Sequence, residues 1–240
     1  MSDTTFRFKQ FTIHQDKCAM KVGTDAVLLG SWVDPQYSRH ILDIGTGTGI
    51  IALMLAQKST AEIDAIDIDE NAYQQAKENF NTSLWRERMH VFHESFQDFS
   101  EKSKKKYDLI VSNPPYFHDA SKPCEESRMN ARHNEQLCFD ELISGVKKVL
   151  SEDGLFYVIL PIKEGLEFMD LSQPNGLFCH ELFRVKTKAD KIEKRSMMKF
   201  GFQFQLLINH EIVIQEDDNR FTNEYVELTR EYFVGLRKVE

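Results

Sequence analysis

The chain has 240 residues, 41% of them hydrophobic and 28% charged, with a net charge of −8. That suffices for a single domain with a real core over residues 1–240. The acidic balance argues against indiscriminate nucleic-acid binding, though a local basic face stays open. No 18-residue apolar run is present, so no membrane span is expected, and the first residues lack a signal-peptide apolar block. Cys18, Cys124, Cys138 and Cys179 show neither metal-ligand nor disulfide-framework spacing. No metal is therefore expected, and the thiols read as reduced, in a cytoplasmic protein.

In chain order, Phe6 to Ile13 alternates apolar and polar residues and predicts a short strand. Cys18 to Asp25 leads into an apolar helix over Ala26 to Val33, with Thr24 or Asp25 as its cap. His40 to Ile44 predicts a strand, Gly45-Thr46-Gly47-Thr48-Gly49 a tight turn, and Ile50 to Lys58 a helix. Glycines there let the backbone approach a ligand and expose amides near a positive helix end. The spacing is not the dinucleotide G-x-G-x-x-G. Glu62 to Asp69 predicts a second strand. Its acidic end falls about twenty residues after the glycines, where a carboxylate can accept both ribose hydroxyls. Asp67 is the candidate; Asp69 is better placed to cap the helix Glu70 to Asn81.

Met89 to His93 predicts a third strand, ending where Ser95 could hydrogen-bond an adenine and Phe96 could pack on it; an ordinary strand end is the alternative. Tyr107 to Ser112 predicts a buried strand that Asn113-Pro114-Pro115-Tyr116 stops, since proline cannot donate to a sheet ladder. The residue before each proline is pushed to extended geometry. An amide, a carbonyl and an aromatic ring are thereby presented at a strand's carboxyl end, where open α/β sheets bind ligands. Such a set suits a planar group bearing NH2: the Asn113 oxygen and the Pro114 carbonyl accept its hydrogens, and Tyr116 stacks on its face.

Residues 117–134 lack a clear period and carry Arg128 and Arg132, which fits a loop on the substrate side. A helix over Cys138 to Leu150, a strand over Leu155 to Leu160 and a helix over Lys163 to Leu171 follow. Strands are predicted over Glu181 to Thr187 and Met197 to Leu207, a further one is possible over Glu211 to Gln215, and a helix over Asn223 to Leu236 closes the chain. Between Arg184 and Lys199 seven basic residues, Lys186, Lys188, Lys194 and Arg195 among them, face only Asp190 and Glu193. A solvated hairpin and a phosphate-contacting edge both fit that reversal of charge.

Three stretches, Cys18 to Asp25, Ile41 to Gly49 and Leu109 to Phe117, together resemble the bacterial tRNA1(Val) adenine-N6-methyltransferase family, over nearly the whole chain. The resemblance implies an S-adenosylmethionine-dependent class I methyltransferase: a Rossmann-like seven-stranded sheet, mostly parallel with an antiparallel last strand, and helices on both faces. It implies methylation of the exocyclic N6 of adenine 37 beside the anticodon, with the tRNA anticodon stem–loop as partner and a monomer as the favoured state. Residues 1–30 would extend over the cofactor site, with Lys21, Thr24 and Asp25 closing on the methionine end. Asp43, Gly45, Gly47 and Gly49 would frame that end, Asp67 the ribose, Ser95 and Phe96 the adenine. Asn113, Pro114 and Tyr116 would act in catalysis, Asn113 also lying against the cofactor. Pro115, Tyr116, Phe117, Arg128, Arg132, Lys186, Lys188, Lys194 and Arg195 would meet RNA. Methylation of ribosomal RNA or DNA bases, or of a protein glutamine, is the alternative. Against the last stands the shortness of the segment before the glycine turn, about forty residues, small for a separate substrate domain.

Overall fold

The computed structural model describes residues 4–18, 20–114 and 137–235. Instead of one strand over residues 6–13, β1 (Thr5–Arg7) and β2 (Thr12–His14) form an antiparallel hairpin. Phe8 and Phe11 break the alternation: both are buried, their rings stack with centroids 4.7 Å apart, and the Phe8 amide donates to the Phe11 carbonyl at 2.9 Å.

Helix α1 (Thr24–Trp32) starts at Gly23 with no side-chain cap, so neither Thr24 nor Asp25 caps it. Then come β3 (His40–Ile44), α2 (Ile50–Lys58), β4 (Glu62–Asp67), α3 (Glu70–Thr82), β5 (Met89–His93), α4 (Phe96–Lys102) and β6 (Tyr107–Ser112). Asp69 caps α3 as expected, accepting from the Ala72 amide at 2.8 Å. The remainder is α5 (Phe139–Val149), β7 (Leu150–Pro161), α6 (Ile162–Ser172), β8 (Phe178–Lys186), β9 (Glu193–Gly201), β10 (Ile208–Val213) and α7 (Asn223–Thr229). The predicted closing helix is thus about half as long as its apolar pattern suggests, and β9 ends at Gly201, where its partners end. Phe204 and Leu206, which prolong the alternation, are exposed.

The main sheet has eight strands in the order β10-β8-β9-β7-β6-β3-β4-β5. From β5 to β7 all neighbours are parallel. β9 runs antiparallel to both β7 and β8, and β10 adds parallel to β8 at the edge. The expected seven strands are therefore present, with the seventh reversed, and the extra one is the segment left open near Glu211. Alternate side chains of the central strands enter two cores. Leu109 and Val111 join α1 and α2 on one face, while Ile110 joins α4, α5 and α6 on the other. This double cover is what parallel sheets require.

Two cations satisfy helix ends. Lys58 donates to the Gly30 and Val33 carbonyls at 3.1 and 3.0 Å and also to Ser31, closing the end of α1. Arg88 does the same for α2 through the Ala56, Ser59 and Ala61 carbonyls. Among the described residues no helix is long and apolar enough to cross a membrane. Cys18 and Cys179 are free thiols, as expected, and Cys124 lies outside the described residues.

Candidate cofactor and reaction site

The chain leaves β3 toward β4 and β5 and returns to β6 on the other side of β3, so the crevice of the sheet opens between β3 and β6. These strands end level. Ile44 stands opposite Ser112 of β6 and Ile66 of β4, and the buried Ser112 hydroxyl donates to the Ile44 carbonyl at 2.9 Å. Gly45, Asp67 and Asn113 consequently leave the sheet side by side. Asn113 is half-buried and Pro114 buried. Pro115, Tyr116, Phe117, Arg128 and Arg132 lie outside the described residues.

The three glycines have different work. Gly45 and Gly47 have φ of +70° and +57°, and a Cβ on either would meet nothing within 4 Å, which leaves bare backbone facing open space. Gly49, at φ +80°, packs on α3; a Cβ there would come within 2.5 Å of the Phe80 ring. The turn is tied down from β4: the Gly45 and Thr46 amides donate to the Ile66 carbonyl at 2.9 and 3.0 Å, and the Gly47 amide to Asp67 Oδ2 at 2.8 Å.

Asp67 also accepts from the Asp69 amide, at 3.0 Å through Oδ1. Burial raises its pKa, against the lowering effect of these amides. Asp43 is wholly buried. Oδ2 accepts from the Thr46 hydroxyl at 2.7 Å, the Ala52 amide in the first turn of α2 also stabilises the carboxylate, and among the described residues Oδ1 has no hydrogen-bond partner of ordinary geometry. Burial pushes its pKa to about 7. A buried carboxylate oxygen without a donor favours a ligand that brings one, such as an ammonium group.

At the proposed adenine end the two candidates part. Ser95 is half-buried and caps α4, accepting from the Asp98 amide at 3.1 Å. Phe96 is turned inward: it is 4% exposed and packs on Gly145 of α5, where a Cβ would come within 2.4 Å of its ring. Packing of Phe96 on an adenine is therefore corrected, because the first turn of α4 faces the core. Ile68, directly after Asp67 and 41% exposed, offers the apolar surface instead. Its signal in the sequence was an apolar side chain just past the acid at a strand end.

The amino-terminal segment is fastened to the glycine turn by α3. Buried Asn79 accepts from the His14 amide at 2.9 Å and donates to the carbonyls of His14 and Thr48 at 2.9 and 2.8 Å. Gln75 accepts from the Lys17 amide, and Gln15 from the Val22 amide, each at 2.9 Å. Sequence reasoning missed all three, since Asn79 and Gln75 read as solvated amides on a helix face and Gln15 as a loop residue. Lys21 and Thr24 are exposed, and Asp25 forms an ion pair with Arg195, Oδ2 to Nε 2.7 Å. Arg195 stands opposite Pro161, at the carboxyl end of β7, so this pair belongs to the same edge as Asn113.

The basic stretch is less bare than its composition suggests. Lys186 pairs with Glu211 at 2.7 Å, and Lys188 donates to the Asp217 carbonyl at 2.9 Å. Carboxylates of β10 and α1 neutralise two charges that a local count leaves unmatched, and a carbonyl of the loop after β10 holds a third ammonium. Among the described residues no cluster of His, Cys, Asp or Glu could hold a metal ion.

An open parallel sheet with an exposed glycine turn, a carboxylate at the end of the neighbouring strand and an Asn-Pro turn at one edge defines a Rossmann-like methyltransferase. The features fit S-adenosylmethionine: open backbone at Gly45 and Gly47, an unpartnered Asp43 oxygen and spare acceptor capacity on Asp67. Comparison with known proteins agrees. Residues 18–174 match the methyltransferase small domain. A tRNA1(Val) (adenine(37)-N6)-methyltransferase of Bacteroides fragilis is 44% identical over 237 residues, 98% of this chain and 100% of that one. Its counterpart in Flavobacterium johnsoniae is 45% identical over 234 residues, 96% and 100% of the two chains. Among solved structures, a predicted O-methyltransferase from Agrobacterium tumefaciens aligns with TM-score 0.69 at 16% identity over 90% of this chain and 100% of that one. A ribosomal protein L11 methylase from Lactobacillus delbrueckii aligns with TM-score 0.52 at 18% identity, over 75% and 78%. The chain belongs to the tRNA1(Val) (adenine(37)-N6)-methyltransferase family.

Proposed function

We propose that this chain methylates the exocyclic N6 of adenine 37, beside the anticodon of tRNA1(Val), as a cytoplasmic monomer that needs no metal. The observation that carries the reading is the level ending of β3, β4 and β6, which sets Asn113 beside the bare glycine turn and Asp67. S-adenosylmethionine, when bound, supplies an electrophilic methyl group on a sulfonium. The target amine is a poor nucleophile because its lone pair is delocalised into the ring. The Asn113 oxygen and the Pro114 carbonyl accept its two N–H bonds, favour a pyramidal nitrogen and aim the lone pair at the methyl carbon. No base is required before attack, since charge on nitrogen develops during transfer and the proton leaves afterwards. Positioning and electrostatics supply the catalysis.

The adenine has to leave its stack, at a cost of a few kcal/mol that is lowest in a loop. Tyr116 offsets part of that by stacking, worth about 1–3 kcal/mol. Pro115 and Phe117 flank the base, and Arg128 and Arg132 meet the RNA backbone. Ser95 remains the hydrogen-bonding candidate for the adenine of the cofactor.

Radiolabelled methyl transfer to tRNA1(Val) lacking the modification, followed by nucleoside analysis, tests the reading. The expected product is N6-methyladenosine at position 37. Asn113→Ala should lower turnover about a hundredfold or more, the scale of a lost positioning hydrogen bond in a transition state, while calorimetry finds cofactor affinity nearly intact. Label appearing in ribosomal RNA, DNA or a protein glutamine instead of the tRNA would overturn the substrate assignment.

A further inference from the structure

A cavity lies on the same edge of the sheet, with Thr24 and the Asp25–Arg195 pair in its wall and Asn113 outside it. It measures about 480 Å³, within the range of small-ligand sites. Neither the glycine turn nor Asp67 nor Asn113 lines it. Its walls come from α1, the start of β9, the ends of β8 and β10, α7 and the amino-terminal segment.

Three observations bear on what it takes. Phe221 and Tyr225 contribute stacked rings, centroids 4.9 Å apart, and Phe221 is 36% exposed. Thr187 and Gln215 add hydroxyl and amide groups able to read the edge of a planar heterocycle. At its mouth stands exposed Lys194, whose ammonium is in no ion pair with the described residues, unlike its neighbour Arg195. Flat apolar walls, edge-reading groups and one available cation are the chemistry of a base with its phosphate.

The topology sets the separation. β9, the nearest strand that lines it, is two places from β6 in the sheet, which at about 4.8 Å per place puts the near wall of the cavity about 10 Å from the strand that leads into Asn113. That is too far for the target base and suits a neighbour on the same RNA loop. We propose that this cavity receives a second unstacked base of the RNA substrate, so that the enzyme holds its loop at two points. The proposal rests on the tRNA reading above.

The test uses the full chain and unmodified tRNA1(Val). Thr187→Trp fills the cavity without deleting a wall, and Phe221→Ala removes its aromatic face. Each should raise KM for tRNA about tenfold, the lower end of a lost base–aromatic stack, with kcat and cofactor affinity unchanged. Lys194→Ala should flatten the plot of log KM against log salt by about one unit. A fluorescent adenine analogue placed in turn at each loop position other than the target should report one position that changes on binding the wild type and not on binding Thr187→Trp. Wild-type KM in both cavity variants, or no second position that reports, overturns the proposal while leaving the methylation reading intact. A wild-type chain that leaves the tRNA unmethylated overturns both.

Discussion

Asp67→Asn gives the sharpest test of the cofactor geometry. An ionised carboxylate has about four lone-pair sites. Two are filled by the amides of Gly47 and Asp69, at 2.8 and 3.0 Å, and the remaining two match the two hydroxyls of a ribose. Asparagine keeps the size but only one acceptor oxygen. One backbone amide and one ribose hydroxyl then lose their partner, along with the negative charge. A hydrogen bond to a charged group contributes about 1.5–3 kcal/mol, so the dissociation constant of S-adenosylmethionine should rise about 10- to 150-fold. Folding stability should fall by no more than about 1–3 kcal/mol, because the cost of one backbone amide left without its acceptor is offset in part by the loss of a buried charge. Calorimetry beside thermal melting separates the two effects. Unchanged cofactor affinity would refute the assignment of Asp67 to the ribose.

Asp43 predicts a pH dependence. Its folded pKa, about 7, lies above the ordinary carboxylate value, so the native state holds an extra proton between those limits. Stability of the cofactor-free protein should therefore fall as pH rises through that window, and Asp43→Asn should melt higher at pH 8. A cationic ligand favours the ionised form, so cofactor affinity should rise with pH up to about 7 and then level off; a flat titration would remove Asp43 from the site. The glycines offer a contrast. Gly49→Ala combines a left-handed residue, at about 1–2 kcal/mol, with displacement of Phe80, at about 1–3 kcal/mol. Gly45→Ala bears only the first in stability but should lose cofactor affinity as well. Urea unfolding and calorimetry on the pair check this, and equal stability losses would contradict it.

The parallel half of the sheet was legible because its signals are local. Ile41 to Ile44 and Leu109 to Val111 are apolar runs bounded by glycine or proline, and the spacing from Gly47 to Asp67 marks neighbouring strand ends. The hairpin at the amino terminus was not, since Phe8 and Phe11 lie three apart and mimic part of a strand's alternation. Phe96 was misread because a residue at a strand end can face a ligand or begin a helix, and only the packing of α4 on Gly145 decides. The partners of the basic stretch were hidden for a related reason: Asp25 and Glu211, which neutralise part of it, are distant in sequence. Asn79 left no signal, as its three partners come together only in the fold.

Lys58 and Tyr232 meet at the end of α1 farthest from the reaction edge. Lys58 grips three carbonyls there, and the Tyr232 hydroxyl bonds Met54 at 3.0 Å and reaches Gly30. A helix nailed at its base cannot slide along its axis. Thr24 and Asp25 at the other end are thus the head of a fixed post, and any swing that admits the methyl donor has to hinge ahead of Gly23.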